Sequence, residues 1–163
     1  MSDSHKRVRN LTVAIGIPGA GKSTWVKEVF LKQYPATKLV STDEIRKEHN
    51  GTGACDPDEN DKIHMEAVDR ARQYLKDGYS VVVDATNVGI PDWYEYYKIA
   101  HDPEVYGDGL ILTTAKVFDV PPEEAMQRQI KRGRVVPMPV LEEKWLKLSR
   151  SKVALPCFFN FIN

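Results

Sequence analysis

A glycine-rich turn that ends in Lys22 and Ser23 constrains the fold of this chain more than any other feature. The stretch VAIGIPGAGKSTW, residues 13–25, contains the complete pattern G-x-x-x-x-G-K-[ST]. The apolar residues 11–15 before it indicate a strand, and the apolar spacing over residues 23–33 indicates a helix. A loop between a strand and a helix is the context in which backbone N–H groups surround phosphates. The sequence therefore predicts a phosphate-binding loop.

Each part of this loop has an expected contact. Lys22 is expected to reach the β and γ phosphates of a nucleoside triphosphate, and the Ser23 hydroxyl is expected to ligate Mg²⁺. The loop does not read G-x-G-x-x-G, so it does not indicate a dinucleotide site. The predicted nucleotide-binding residues are Gly16, Gly19, Ala20, Gly21, Lys22, Ser23, Thr24, Arg128 and Arg132.

Strand and helix patterns alternate along the whole chain. Further strands are predicted over residues 37–40, 79–87 and 110–120, and further helices over residues 91–101, 121–131 and from 139 onward. Apolar residues mark one face of three helices: Val26, Val29 and Phe30; Ile63, Ala67, Ala71 and Leu75; Leu141, Trp145 and Leu148. The alternation predicts an α/β fold of the P-loop NTPase type, with a parallel sheet, helices on both faces and a helical lid. We expect a flexible tail at residues 1–10 and a single domain at residues 11–163.

Composition narrows the class of protein. At 163 residues, with 42% hydrophobic and 28% charged residues, the chain has the composition of a globular domain. No apolar run approaches the length of a membrane span, and the N-terminal residues lack the apolar core of a secretory signal, so we expect a cytoplasmic protein. Cys55 and Cys157 have no partners at ligand spacing, and neither a disulfide framework nor a zinc site is indicated.

Charge is divided unevenly along the chain, although the formal net charge is zero. Residues 41–69 carry nine acidic side chains and three basic ones, whereas residues 121–152 carry eight basic side chains and four acidic ones. One interpretation is two solvated helical faces. The other is a basic surface that attracts polyanions such as ATP or nucleic acid.

Asp43 and Arg46 follow the predicted second strand. Ser41 and Glu44 form a capping-box pattern, which predicts a helix start and puts Asp43 and Arg46 on one face. The acid is a candidate general base for an attacking hydroxyl, and the arginine a candidate for binding an acceptor phosphate. The alternative is an acid at a favourable helix N-terminus with a surface ion-pair partner.

Polar residues also end the predicted third strand, in the sequence VVVDATN. We predict that Asp84 and Asn87 contribute to the acceptor side of the site, because ligands bind beyond the carboxyl ends of parallel strands. Asp84 is expected either to orient a Mg²⁺-bound water or to hold an arginine. It could instead cap the next turn.

Arg128 and Arg132 lie four residues apart on a predicted helix that ends at Gly133. They are candidates for stabilising negative charge on a transferred phosphoryl group. Basic residues also suit the C-terminus of any helix, which is the simpler interpretation.

Taken together, these motifs resemble the kinase domain of the phage-type polynucleotide 5′-kinases. The resemblance covers residues 11–150 and rests on GIPGAGKSTW, STDEIR, DATN and, most specifically, AKVFDVPPEEAMQRQIKRGRVVP followed by PVLEEKWLKL. It implies transfer of the γ-phosphoryl group of ATP, or another nucleoside triphosphate, to 5′-hydroxyl ends of DNA or RNA with Mg²⁺.

The resemblance also implies residue roles. Asp43 matches the general base, and Arg46 matches the arginine that holds the phosphate next to the attacking nucleoside. Lys22, Arg128 and Arg132 match catalytic contacts to the transferred group. Val136 matches an apolar residue beneath the acceptor base. No D-x-D-x-T phosphatase motif is present, so we expect a stand-alone kinase.

Two other functions fit the same loop. A small-molecule kinase would share the scaffold and act on a nucleoside, sugar or antibiotic. A nucleotide-dependent switch would bind ATP without phosphotransfer.

Overall fold

A five-stranded parallel sheet forms the centre of the protein, in the order β2-β3-β1-β4-β5, within residues 7–163, which the computed structural model describes. The strands are β1 Val8–Ile15, β2 Lys38–Ser41, β3 Val81–Asp84, β4 Leu110–Val117 and β5 Phe161–Ile162. β1 and β3 are central and consist mostly of buried apolar residues, as expected for parallel strands covered on both faces. This architecture confirms the predicted α/β fold.

The helices alternate with the strands. They are α1 Lys22–Trp25, a π-helical turn Val26–Phe30 and α2 Leu31–Gln33, which follow one another directly, and then α3 Thr42–Asn50, α4 Asn60–Lys76, α5 Ile90–Ala100, α6 Pro103–Tyr106, α7 Pro122–Lys131 and α8 Met138–Ser151. Short 3₁₀ turns occur at Pro57–Glu59 and Lys152–Cys157. None of the helices within residues 7–163 has the length and apolar character needed to cross a membrane.

The start of β1 corrects one expectation. Val8 and Asn10 belong to β1 and lie opposite Leu110 and Leu112 of β4, so the predicted flexible tail does not extend to residue 10. Residues 1–6 of that tail lie outside the described residues. The strand starts early because β4 gives its first residues a hydrogen-bonding partner, which no local pattern indicates.

The π-helical turn corrects a second expectation, the apolar face predicted for the first helix. Val26 is buried, but Val29 is 52% exposed, so these two residues do not share one buried face as predicted. A π turn contains more residues than an α turn, and it therefore rotates the following side chains relative to the α-helical spacing.

The main core lies between the sheet and helices α4 and α5, and α8 contributes buried residues to it. The predicted apolar face of α4 is buried, and Leu141 and Leu148 of α8 are buried beside half-buried Trp145, as predicted. The opposite sheet face has a smaller core, made of Ala14, Val26 and Val82 with Trp25 and Phe30 packed against them.

The sheet register brings three chain segments together at one edge. Asp84, the last residue of β3, lies opposite both Ala14 of β1 and Ser41 of β2. The loop after β1, the start of α3 and the end of β3 are therefore neighbours, although they are far apart in sequence.

Candidate functional site

The loop between β1 and α1 has the backbone that its glycines predict. Gly19 and Gly21 have φ values of 84° and 98°, a left-handed conformation that glycine adopts without steric cost. The Ala20 N–H donates to the Ile17 carbonyl at 3.1 Å, and α1 begins directly after Gly21. The loop therefore curls so that it can present backbone N–H groups to an anion.

Lys22 is buried beneath this loop. Its side chain is 7% exposed, and its Nζ donates to the Gly16 carbonyl at 2.8 Å and the Ile17 carbonyl at 2.9 Å. The pKa of Lys22 is lowered to about 8, chiefly because burial disfavours the charged form; the charges of Asp84 and Asp43 oppose this change, and the charge of Lys144 on α8 adds a smaller decrease. All three charged groups therefore lie close enough to Lys22 to affect it.

Asp84 lies beside the Ser23 hydroxyl at the same edge of the sheet. Burial raises the pKa of Asp84, while a hydrogen bond from Ser23 and the charge of Lys22 act in the opposite direction. Asp84 therefore lies next to Ser23 and Lys22, at the start of α1.

These residues fit Mg²⁺. Among residues 7–163 there is no cluster of three or more His, Cys, Asp or Glu side chains that could hold a metal by itself. A hydroxyl, one carboxylate, nucleotide phosphates and water form the oxygen ligand set that Mg²⁺ prefers in kinase sites. Ser23 would be a direct ligand, and Asp84 would orient bound water.

Asp43 lies in the first turn of α3, where the sequence predicted it. Ser41 caps this helix, since its Oγ accepts a hydrogen bond from the Glu44 N–H at 3.4 Å. Arg46 Nη1 donates to Asp43 Oδ1 at 2.8 Å, and Arg46 Nη2 donates to Asn60 Oδ1 at 3.3 Å. Arg46 Nε is buried without a hydrogen-bond partner among the described residues. The guanidinium group is therefore held at Asp43 and Asn60 through its two Nη atoms, while its Nε is enclosed by protein.

Sequence reasoning missed Arg134. This residue lies in the connection between α7 and α8, and its Nη1 donates to Asp43 Oδ2 at 3.3 Å. Both oxygens of the 45% exposed Asp43 carboxylate are thus bound by arginine. The excess of basic residues over residues 121–152 was the only sequence signal, and it did not single out this side chain.

α7 packs against the phosphate-binding loop. Arg128 Nη1 donates to the Ala20 carbonyl at 3.0 Å, and Arg132 Nη2 donates to Thr24 Oγ1 at 2.9 Å. Arg128 also pairs with Glu124 of its own helix. Both arginines that the sequence selected therefore lie at the loop.

Gln129, another residue that sequence reasoning missed, is the buried polar link between α7 and the loop. Its Nε2 donates to the Pro18 carbonyl at 3.1 Å, and its Oε1 accepts from the Val136 N–H at 2.9 Å. The sequence position of Gln129, between Arg128 and Arg132, could have indicated this role, because a polar residue on the inner face of a helix needs hydrogen-bond partners.

The placement of Asn87 and Val136 does not support the acceptor contacts predicted for them. Asn87 is 4% exposed, its Nδ2 donates to the Ala14 carbonyl at 3.2 Å, and its own carbonyl accepts from Trp93 Nε1 at 2.6 Å. Asn87 therefore ties β1 to α5 through its side chain and its backbone carbonyl. Val136 is half-buried and packs against the main core.

Comparison with known proteins identifies related folds. A family model described as AAA domain matches residues 11–154. A chain of the Pnkp1/Rnl/Hen1 RNA repair complex superposes with a TM-score of 0.73 at 24% identity, covering 93% of this chain and 47% of that one. The chain thus spans about half the length of that relative.

Two smaller proteins share the fold. A fungal RNA kinase superposes with a TM-score of 0.62 at 16% identity, covering 96% of this chain and 73% of its own. A gluconokinase from Sinorhizobium meliloti 1021 superposes with a TM-score of 0.51 at 19% identity, covering 88% of this chain and 77% of its own. Identities this low establish a common kinase fold and nothing finer.

Proposed function

We propose a reaction from one premise: the chain belongs to the AAA domain family and has the fold of a P-loop kinase. It transfers the γ-phosphoryl group of ATP, or another nucleoside triphosphate, to the 5′-hydroxyl end of DNA or RNA. The observation that carries this proposal is the Asp43 carboxylate, bound by Arg46 and Arg134 beside the phosphate-binding loop. A single kinase domain at residues 11–163 is part of the proposal.

The arginine pair favours a nucleic-acid acceptor. A general base alone would require only that the acceptor has a hydroxyl group. Two guanidinium groups beside the base suit an acceptor that also carries a phosphate, because arginine binds phosphate bidentately. Arg46 and Arg134 each direct an Nη donor to the Asp43 carboxylate. The similar folds of a chain from an RNA repair complex and of an RNA kinase support the same choice.

The chemistry follows from the placement of the side chains. The 5′-hydroxyl oxygen attacks the γ-phosphorus, its proton passes to Asp43, and the bond from the γ-phosphorus to the oxygen of the leaving diphosphate breaks. Lys22, Arg128 and Arg132 stabilise the charge on the transferred group. Ser23 would hold Mg²⁺, which would supply further charge neutralisation on the phosphate oxygens.

The first experiment is transfer of label from γ-labelled ATP to a 5′-hydroxyl oligonucleotide. Wild type is expected to label it, and Asp43→Asn is expected to retain ATP binding while turnover falls by about 10² to 10⁴. Glu44→Gln, on the exposed side of the same helix turn, is the matched control and keeps wild-type turnover. Labelling by Asp43→Asn at the wild-type rate would show that Asp43 is not the base.

A small-molecule acceptor is the second candidate function, because a gluconokinase shares the fold. The same labelled ATP, offered with nucleosides and with gluconate, separates the two. Transfer to a small neutral or sugar-acid hydroxyl, with no transfer to oligonucleotide ends, would favour the second candidate. ATP binding without transfer to any acceptor would favour a nucleotide-dependent switch.

A further inference from the structure

α3, the helix that carries the candidate base, has little apolar anchoring in its second half. It follows β2, an edge strand of the sheet, and its buried side chains, Thr42 and Ile45, both lie in its first half. Residues 47–50, which end the helix, are exposed. Packing of an apolar face is what usually holds a short helix in place. The second half of α3 therefore needs contacts of another kind to keep one orientation.

α4 provides these contacts through charged side chains. Arg70 of α4 donates from Nη1 to Glu48 Oε1 of α3 at 3.1 Å, and its Nη2 pairs with Glu48 Oε2. The same Nη2 donates to Glu66 Oε1 at 2.5 Å. Glu66 Oε2 in turn lies 2.6 Å from Nε2 of His49, the residue after Glu48 on α3. We name these four side chains the α3–α4 tether.

α4 is itself well anchored, so it can serve as the fixed side of the tether. Its apolar face is buried in the main core through Ile63, Ala67, Val68, Ala71 and Leu75. Its first residue, Asn60, accepts the hydrogen bond from Arg46 described above. α4 therefore contacts α3 at two levels, at Arg46 beside the candidate base and at Glu48 and His49 near the end of the helix.

The tether is expected to matter more for the reaction than for stability. The side chains of Arg70 and Glu48 are 35% and 53% exposed, and ion pairs of this kind change the free energy of unfolding only slightly. By contrast, a displacement of about 1 Å in a reacting group can lower a rate about a hundredfold. Asp43 and Glu48 lie on the same nine-residue helix, so a shift at the end of α3 also moves the candidate base.

We propose that Arg70 is a positioning residue for the candidate base. By binding Glu48, it fixes the orientation of α3 and thereby the distance between the Asp43 carboxylate and the phosphate-binding loop. Arg70 acts through α3 and not by contact with the nucleotide or the acceptor. This inference rests on the proposed function, in which Asp43 takes the proton of the attacking hydroxyl group.

The chain offers a matched control on the same helix. Arg72 of α4 is 34% exposed, nearly the same as Arg70, and it also pairs with two carboxylates, those of Asp102 and Glu104. Asp102 caps α6 and Glu104 lies in its first turn, so neither partner belongs to α3. Arg72→Ala therefore removes the same kind of contact from α4 and leaves the α3–α4 tether in place.

The test measures the single-turnover rate of transfer from saturating ATP to a 5′-hydroxyl oligonucleotide. Arg70→Ala is expected to lower this rate by about 10- to 100-fold, as a displacement of up to about 1 Å predicts, and to leave the Kd for ATP unchanged. Arg70→Lys retains a cation opposite Glu48 and is expected to lose less activity. Arg72→Ala is expected to keep the wild-type rate. Thermal unfolding is expected to shift by a similar, small amount in both alanine variants.

Glu48→Ala removes the same ion pair from the other helix. It is expected to lower the rate to a similar extent, and the double variant Arg70→Ala/Glu48→Ala is expected to be about as slow as either single variant, because both remove one contact. If the two losses simply multiplied in the double variant, the two side chains would act independently and the proposal would be wrong.

The outcomes distinguish this inference from the proposed function. A wild-type rate for Arg70→Ala, or equal losses for Arg70→Ala and Arg72→Ala, would refute the positioning role and leave the kinase proposal standing. If wild type labels no 5′-hydroxyl end, the kinase proposal fails, and amide hydrogen exchange still tests the tether. Arg70→Ala, but not Arg72→Ala, is expected to speed exchange in the second half of α3. Equal protection of these amides in all three proteins would refute the tether.

Discussion

Burial and the charges of nearby carboxylates act on the pKa of Lys22 in opposite directions. Its pKa falls from 10.5 to about 8 in the folded protein, chiefly because burial disfavours the ammonium form. Between these two values the unfolded chain binds more protons than the folded chain, so stability rises with pH in this interval. Below about pH 8 Lys22 is protonated in both the folded and the unfolded chain, so the full free-energy cost of burying its charge reduces stability.

Lys22→Met is therefore expected to stabilise the nucleotide-free protein at neutral pH. The increase in the free energy of unfolding has an upper limit of about 3 kcal/mol, which follows from the pKa change. Loss of the hydrogen bonds to Gly16 and Ile17 reduces this increase. The difference from wild type should shrink as pH rises from about 8 towards 10.5. Urea unfolding across this range measures it, and a difference that does not change with pH would contradict the assignment.

At the level of elements, α7 determines where the two candidate phosphate-binding arginines lie. Gln129 holds α7 to the loop through Pro18 and holds the connection to α8 through Val136. Gln129→Leu keeps much of the volume but leaves the Pro18 carbonyl and the Val136 N–H without this partner. We expect a loss of about 1 to 3 kcal/mol in the free energy of unfolding.

The same variant is expected to weaken ATP binding, because Arg128 and Arg132 depend on the position of α7. Gln127→Leu is the matched control, since Gln127 is exposed on the same helix and is expected to change neither property. Calorimetric titration with ATP and urea unfolding provide the two measurements. If Gln129→Leu weakened folding and left ATP affinity intact, α7 would be a structural element only.

The sequence predicted elements better than contacts, for a physical reason. The loop, the strands and the apolar face of α4 are encoded by local spacing, which a single segment displays by itself. Arg134 was missed because its contact with Asp43 joins residues 91 positions apart. Asn87 was assigned to the acceptor because it follows β3, but its burial depends on Trp93 and Ala14, which local sequence does not reveal.

The π-helical turn shows the same limit within an element. Val29 fits an apolar helical face in the sequence, yet the wider turn directs it to solvent. An inserted residue in a helix changes the direction of the following side chains without changing the composition of the segment. Sequence spacing therefore predicted that a helix exists but not which of its side chains are buried.

For the whole molecule, nucleotide binding and stability are linked through Lys22. A ligand that binds only the folded state stabilises it by mass action, by about 2.7 kcal/mol at a hundred times its Kd. Triphosphate would provide Lys22 with the negative partner that it lacks among the loop carbonyls. Lys22 lowers the stability of the nucleotide-free protein, and it is expected to be the residue through which bound nucleotide stabilises the folded state.

We therefore expect MgATP to reverse the order of thermal stability of wild type and Lys22→Met. Without nucleotide, Lys22→Met unfolds at the higher temperature, because it lacks the buried charge. With saturating MgATP, the Tm of wild type rises by about 5 to 10 °C, as 2 to 4 °C per kcal/mol predicts for a domain of this size. The variant gains little, since it has lost the principal phosphate contact.

Lys32→Met, at an exposed lysine of α2, is the control and follows wild type in both conditions. Equal increases in Tm for wild type and Lys22→Met would show that the nucleotide binds without Lys22, and the proposed donor site would then be wrong.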